Sequence, residues 1–499
     1  MDSPLGRASR LGIATGAALT LSLTFAGAGP AAPGWPAYGG DLANSRSQQT
    51  PGPIAVETAH RLRPAWALRG PGSVDGATPS VTGTPAVVSG VAYYANWQGD
   101  LRAVTVRSGR VLWRTRVSTA PGPLRAVYSS PAVRGGTVYV AAADGHVVAV
   151  SRRTGRARWS TLLDSHFARE LYSSPVVAGR KVIVGVASGE NFFQVPYTFR
   201  GSVVALDTRS GRMLWRRRVM RPGVDGAGGS VWSTAAVDRA RGLAFIGTGQ
   251  AYSEPAGALT DALLALRMRD GRIAWKRQFT RDDVWTPFDA PRGKDYDIGA
   301  APNLFRIGRT AVVGVGDKAG RYATLARDSG RTVWRRRLCR GSHLGGVMTT
   351  AAVARGSIWL TCNELPPAAL DVLHPDLNHR YFDGPALAGR RSRTHIFRLA
   401  AATGRTVWRR NVPGGTLGAV TEAGGVVFVP NSDGRLRALH GATGRTLWTA
   451  RPGAPIGAGP TVADGRLLIG YGVQLGGVER FLNAPPDARG GVVAYAIRR

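Results

Sequence analysis

The stretch Val203–Trp215, VVALDTRSGRMLW, decides the fold. A short apolar run, Val203–Leu206, passes through a small turn into Gly211, three residues and Trp215. This Gly-x-x-x-Trp phrase occurs seven times, ending at Trp113, Trp159, Trp215, Trp275, Trp334, Trp408 and Trp448, each with a short apolar strand ahead of it. An eighth such strand, Val492–Tyr495, ends the chain without its Trp. Upstream of each copy two further strands flank a tight turn, as in TPAVVSGVAYYA (Thr84–Ala95) and TAAVDRARGLAFIG (Thr234–Gly247). Short strands at regular spacing, punctuated by Gly turns, read as an all-β repeat protein.

Each unit therefore holds four antiparallel strands, A to D. Eight units predict an eight-bladed β-propeller of four-stranded antiparallel blades, with the recurring Trp residues packed between blades as tryptophan-docking repeats. Trp66, in RLRPAWAL (Arg61–Leu68), takes the place of the missing eighth Trp. It predicts that an N-terminal strand near 60–68 forms the outer strand of the last blade and closes the ring, which removes an exposed edge.

Composition agrees with a folded, exported protein. At 499 residues, with 43% hydrophobic and 19% charged residues, the chain has material for a real core. Arg7 and Arg10, the apolar run Leu11–Phe25 and the small Ala26-Gly27-Ala28 site read as a signal peptide over 1–28, leaving 29–499 as a single propeller, secreted or otherwise extracytoplasmic. No other run approaches the length of a membrane span. Of 65 basic residues only four are Lys, and the net charge is +34. Arg recurs in every repeat rather than in one cluster, which argues against nucleic acid and for a solvated basic surface open to an anionic surface polymer. There is no C-x-x-C-H, so covalent haem is excluded, and the His spacing offers no zinc site. No G-x-S-x-G elbow or P-loop occurs either.

In an antiparallel blade the B–C and D–A connections share one face of the disc, and the A–B and C–D turns share the other. The A–B and C–D turns are short here. The long segments 188–201, 249–261, 279–299, 363–394 and 471–490 are all B–C or D–A connections, which marks one elaborated face as the functional one. The loop 363–394, rich in Pro, is expected to lid or line the entrance. Chemically unusual residues collect on that face: Trp232 before strand A of blade 4, Glu190 and Gln250 after strand B of blades 3 and 4, Asp295 and Asp297 in KDYDIGAAP, and Lys318 in GDKAG. Carboxyl and amide oxygens beside a cation and an indole suggest a hard metal ion next to a flat ligand. Two aspartates spaced by one residue project to one side of an extended chain, where their repulsion calls for a shared cation or a raised pKa. Cys339 and Cys362 fall on this face around one blade, a spacing read as a bracing disulfide, with a free reactive thiol pair as the other reading.

These residues resemble the pyrroloquinoline quinone (PQQ)-dependent alcohol dehydrogenases, and most closely the polyvinyl alcohol dehydrogenase branch. The resemblance runs from WPAYGGDLANSRSQ at Trp35 to the final GGVVAYAI, and is most specific over Val231–Trp285, DYDIGAAP and GDKAG. It implies that Trp232 stacks on the quinone, that Lys318 contacts the quinone oxygens, that Asp295 is the catalytic base, and that Glu190, Gln250, Asp295 and Asp297 face a Ca²⁺ or lanthanide ion. Gln250 replaces the family's Asn, and PLRAVYSSPAV (Pro123–Val133) replaces its vicinal Cys pair. The expected function is oxidation of a small-molecule or polymeric alcohol with a separate electron acceptor. The alternative is a non-catalytic propeller that scaffolds an anionic polymer or protein partner.

Overall fold

The computed structural model describes Met1 and residues 34–498 except 194, 287–292, 366–391 and 474–488. The expected signal peptide and most of the loop 363–394 lie outside the described residues. Eight sheets, each built on four strands, form eight blades, and among the described residues helix is confined to three short 3-10 turns. Blade 4 is typical: strands A to D are Ala236–Asp238, Leu243–Gly247, Ala262–Arg267 and Ile273–Gln278, paired antiparallel in that order. The eighth blade takes Leu62–Arg69 as its outer strand, paired antiparallel with Gly491–Ile497, so that strands far apart in sequence close the ring in one sheet.

The repeat phrase has a physical cause. Each outer-strand Trp donates its Nε1–H to a backbone carbonyl of the following blade at 2.8–3.1 Å: Trp66 to Val106, Trp113 to Arg152, Trp159 to Thr208, and so on round to Trp448 and Leu62. The Gly of the next Gly-x-x-x-Trp lies against that indole. At Gly211, φ is +72° and a Cβ would stand 2.7 Å from the Trp159 ring, so only glycine meets both demands. Strands B and C read as unbroken apolar runs because both their faces are covered by neighbouring blades; Ile183, Val203 and Ala205 of blade 3 pack with Ala244, Ile246 and Leu264 of blade 4.

One arrangement was not anticipated. Strand A of every blade faces the axis with an unpaired edge, and the segment Trp35–Gln48 pairs with that edge from inside the ring. The amides of Val87, Val133, Val237, Leu304, Val353 and Glu422, at the middle of strand A in six blades, donate to Trp35, Pro36, Leu42, Ala43, Ser45 and Arg46 respectively. This belt satisfies edges that a propeller otherwise leaves open. Arg46 is buried and donates to the carbonyls of Tyr38, Val420 and Pro460 and the hydroxyls of Thr84 and Thr421. Within the belt, Asn44 Nδ2 donates to the carbonyls of Ala235 and Pro302, three residues past Trp232 and Gly299, and so ties the belt to the elaborated face.

Candidate active site

On that face one position repeats in every blade, four residues before strand A. It holds Tyr128, Tyr172 and Trp232 in blades 2 to 4, and Gly299 in blade 5. Tyr128, Tyr172 and Trp232 are half-buried. Gly299 exists to seat Trp232, since a Cβ there would fall 1.6 Å from Cη2 of the indole. Tyr128 and Tyr172 stack at 4.9 Å with Trp97 edge-on at 5.2 Å, and an apolar cluster of Trp97, Tyr128, Leu417 and Val473 joins blades 1, 2, 7 and 8. Blades 3 to 5 carry the polar chemistry.

Lys318, at the end of strand B of blade 5, is the centre of that chemistry. Its Nζ lies 2.9 Å from Asp295 Oδ1, 2.8 Å from Asp297 Oδ2 and 5.4 Å from the centroid of the Trp232 ring. The backbone explains the pairing: Asp295 has φ +56°, so the chain bends at the first aspartate instead of running extended, and both carboxylates turn onto one ammonium. The bend is held by Asp283, whose carboxylate accepts the amides of Lys294, Asp295 and Tyr296. Asp297 also accepts Trp232 Nε1–H at 3.0 Å and the Gln250 amide at 2.8 Å, which fixes the indole. Burial lifts the Asp295 carboxyl well above its ordinary range, and Lys318 only partly offsets it. Burial likewise works against the Lys318 charge, but Asp295 and Asp297 outweigh it and hold the ammonium protonated. His343, stacked on Trp285 at 5.9 Å, is pushed down to about 4 by burial and then by Lys318, so it is neutral at pH 7.

The remaining sequence-predicted residues sit nearby but are committed differently. The Glu190 carboxylate is fully buried and accepts the amides of Thr198 and Phe199 at 2.9 Å, with His166 Nε2 at 3.1 Å, so it closes its own loop. The Gln250 side chain donates to the Trp285 carbonyl at 3.3 Å. Among the described residues no three His, Cys, Asp or Glu side chains stand together as a metal-binding group. Cys339 and Cys362 are joined, with Cα atoms 6.1 Å apart, and tie the D–A connection of blade 5 to strand B of blade 6.

Three residues escaped the sequence reading. Asp283 and Tyr252 lie in the quoted stretch Val231–Trp285 but carried no motif of their own; the Tyr252 hydroxyl is 2.6 Å from Ser230 Oγ and donates to the Ser188 carbonyl. Asp261 immediately precedes strand C of blade 4 and is fully buried, and among the described residues neither of its carboxyl oxygens has a hydrogen-bond partner. Burial and then Asp283, Asp297 and Asp295 raise its pKa well above the ordinary value.

With the geometry in place, the comparisons with known proteins are specific. Polyvinylalcohol dehydrogenase from Pseudomonas sp. is 27% identical over 504 residues, covering 88% of this chain and 73% of that protein. The enzyme of the same name from Sphingopyxis sp. (strain 113P3) is 26% identical, covering 88% of this chain and 72% of its own. Quinohemoprotein alcohol dehydrogenase ADHIIG from Pseudomonas putida HK5 superposes with a TM-score of 0.75 at 19% identity, over 93% of this chain and 80% of its own, and shares the fold. The PQQ_2 family model, outer membrane protein assembly factor BamB, matches residues 58–281 and 318–480. The match extends over well more than half of the sequence, and the chain belongs to this PQQ_2 propeller family.

Proposed function

We propose that this alcohol dehydrogenase-like chain is an exported quinoprotein that oxidises a small-molecule or polymeric alcohol and passes the electrons to a separate acceptor. The observation that carries the reading is the Lys318 ammonium clasped by Asp295 and Asp297 beside the half-buried ring of Trp232.

The residues suit the quinone. Trp232 offers a flat apolar face, kept in place by its bond to Asp297 and by the space at Gly299, and Lys318 offers a buried cation for ligand oxygens. Bound PQQ would supply the two-electron oxidant that no side chain can provide. The chain's own part is proton handling and orientation: Asp295 accepts the proton of the alcohol hydroxyl, and its raised pKa suits it to hold that proton. Lys318 fixes the direction of the accepting oxygen, and Asp283 fixes the backbone beneath it.

The metal fits less well. The oxygen donors Glu190, Gln250, Asp295 and Asp297 are of the kind that Ca²⁺ or a lanthanide takes, yet backbone amides and Lys318 occupy most of them. No step is assigned to a metal.

The test is to titrate PQQ into the purified mature protein, with and without Ca²⁺, following Trp fluorescence, and then to screen alcohols for dye reduction. Saturable quenching lost in Trp232→Ala, together with turnover lost in Asp295→Ala, supports the reading. Absence of binding at micromolar quinone, with Ca²⁺ or with a lanthanide, overturns it in favour of the non-catalytic scaffold.

A further inference from the structure

On the face opposite the candidate site, a groove of about 730 Å³ runs between blades 3 and 4. The A–B turn of blade 3 contributes Arg180 and Lys181, the A–B turn of blade 4 Arg239 and Arg241, and the C–D turn of blade 4 Arg267 and Arg269. No acidic residue lines it. Three of the six cations have a carboxylate of their own: Arg180 on Asp207 at 3.2 Å, Arg241 on Asp238 at 3.1 Å and Arg269 on Asp270 at 3.3 Å. Lys181, Arg239 and Arg267, one from each turn, make no side-chain hydrogen bond or ion pair among the described residues. The floor between them is apolar, formed by Leu243 and Met268 with Ala178.

The bottom of the ring is not uniformly basic. The corresponding notch between the A–B turns of blades 7 and 8, about 200 Å³, is lined by no Lys or Arg and includes Asp464. Three cations without a carboxylate of their own stand on three separate turns, and an apolar floor adds nothing for a bare inorganic anion. An occupant with anionic groups separated by short carbon segments meets both features, the charges on the Arg forks and the carbon on Leu243 and Met268.

We infer that this groove is a binding site for a linear phosphodiester polymer with short carbon spacers, on the face away from the candidate active site. Such a site anchors the protein to an anionic polymer while leaving the elaborated face open.

The experiment uses the full mature protein and a synthetic oligo(glycerol phosphate), with binding read by calorimetry at about 0.15 M salt, where diffuse surface charge is screened beyond about 8 Å. The groove variant Lys181→Gln, Arg239→Gln, Arg267→Gln is compared with a charge-matched outer-strand variant, Arg277→Gln, Arg337→Gln, Arg409→Gln. Both are checked for an unchanged melting temperature. The expected result is a loss of affinity of at least about tenfold in the groove variant, the scale of one charge-assisted contact, and less than about threefold in the outer-strand variant. Equal losses in the two variants overturn the groove in favour of general charge. Inorganic phosphate or a polyglutamate of equal charge binding as tightly through the same three residues overturns the assignment of a phosphodiester chain. Quinone binding is unaffected by either variant, so this proposal and the functional one fail separately.

Discussion

The Lys318 ammonium and the Asp295 carboxylate meet at 2.9 Å with less than a tenth of either side chain exposed. A pair taken so far out of water is tightly coupled, because removal of one member leaves the other as an uncompensated charge. Asp297 shares the same ammonium at 2.8 Å, so Lys318 balances two carboxylates.

That relationship separates chemistry from architecture. Asp295→Asn keeps a hydrogen-bond acceptor for Lys318 and removes the base, so alcohol turnover falls by roughly 10²- to 10⁴-fold while quinone binding persists. Lys318→Met strands two buried carboxylates and costs about 3–5 kcal/mol of stability. Part of that cost returns when Asp297→Asn is added. Steady-state kinetics for the first change and chemical denaturation for the second and third check these outcomes; full activity in Asp295→Asn removes it from the role of base.

Gly299 gives a test that touches no reacting group. A methyl there collides with the Trp232 ring, whose Cη2 would lie 1.6 Å away, and the indole has to leave the orientation set by its bond to Asp297. Gly299→Ala is expected to lower quinone affinity at least tenfold, with a stability loss of about 1–3 kcal/mol from overpacking. Fluorescence titration reads the first and thermal melting the second. Wild-type affinity in this variant would mean that the face of Trp232 is not where the ligand lies.

Glu170 supplies a pH signature. It stands at the base of the Glu190 loop, its carboxyl about 3.5 Å from where a Cβ on Gly189 would be, and among the described residues one of its oxygens has no hydrogen-bond partner. Burial lifts it from 4.5 to about 7, against a hydrogen bond from the Tyr172 hydroxyl. The native state therefore keeps a proton that the unfolded chain has already lost in this interval. Its stabilising contribution is complete below pH 4.5 and is lost as pH rises through about 7, an effect of up to about 3 kcal/mol at 1.36 kcal/mol per pKa unit. In Glu170→Gln the melting temperature falls less between pH 5 and pH 8 than in the wild type. Parallel curves for the two proteins would show that Glu170 is ionised throughout.

How much of this was legible follows from the range over which each feature is determined. Gly211 and Trp159 are read together because the repeat prints the same local demand in each blade, a positive φ and an indole to receive, and Trp66 completes the pattern although it precedes the other seven in the chain. The elaborated face follows from loop lengths alone. The sequence also placed Asp295, Asp297 and Lys318 on one face, but not on one another, since their contact depends on the bend at Asp295 that Asp283 holds from twelve residues upstream. The place of Glu190 after strand B on the elaborated face, together with the family resemblance, points to a metal ligand; that the amides of Thr198 and Phe199 satisfy it depends on the path of a loop with no periodicity. The belt at Trp35–Gln48 was invisible for a similar reason. Its partners are strand edges spread over six blades, and nothing in WPAYGGDLANSRSQ alternates to reveal them.

Arg46 is the point at which that belt is most open to attack. Its guanidinium is fully buried, lies 5.3 Å from the ring centroids of both Trp35 and Tyr38, and serves five oxygen acceptors with no carboxylate opposite it among the described residues. Burial lowers its pKa to about 10, which still leaves it charged at pH 7. The stabilisation therefore comes from the number and direction of its donors, and a flexible ammonium cannot reproduce that fork. Arg46→Met leaves several buried oxygens without donors at about 1–3 kcal/mol each and is expected to cost at least about 3 kcal/mol in all; Arg46→Lys should recover only part of it. Because the belt pairs with strand A of six blades, its loosening exposes those edges together. Hydrogen exchange should then show faster exchange at Val87, Val133, Val237, Leu304, Val353 and Glu422 in the variant, while strands B and C stay protected. Uniform exchange across all four strands would mean that the blades unfold as one unit and that the belt adds no separate closure.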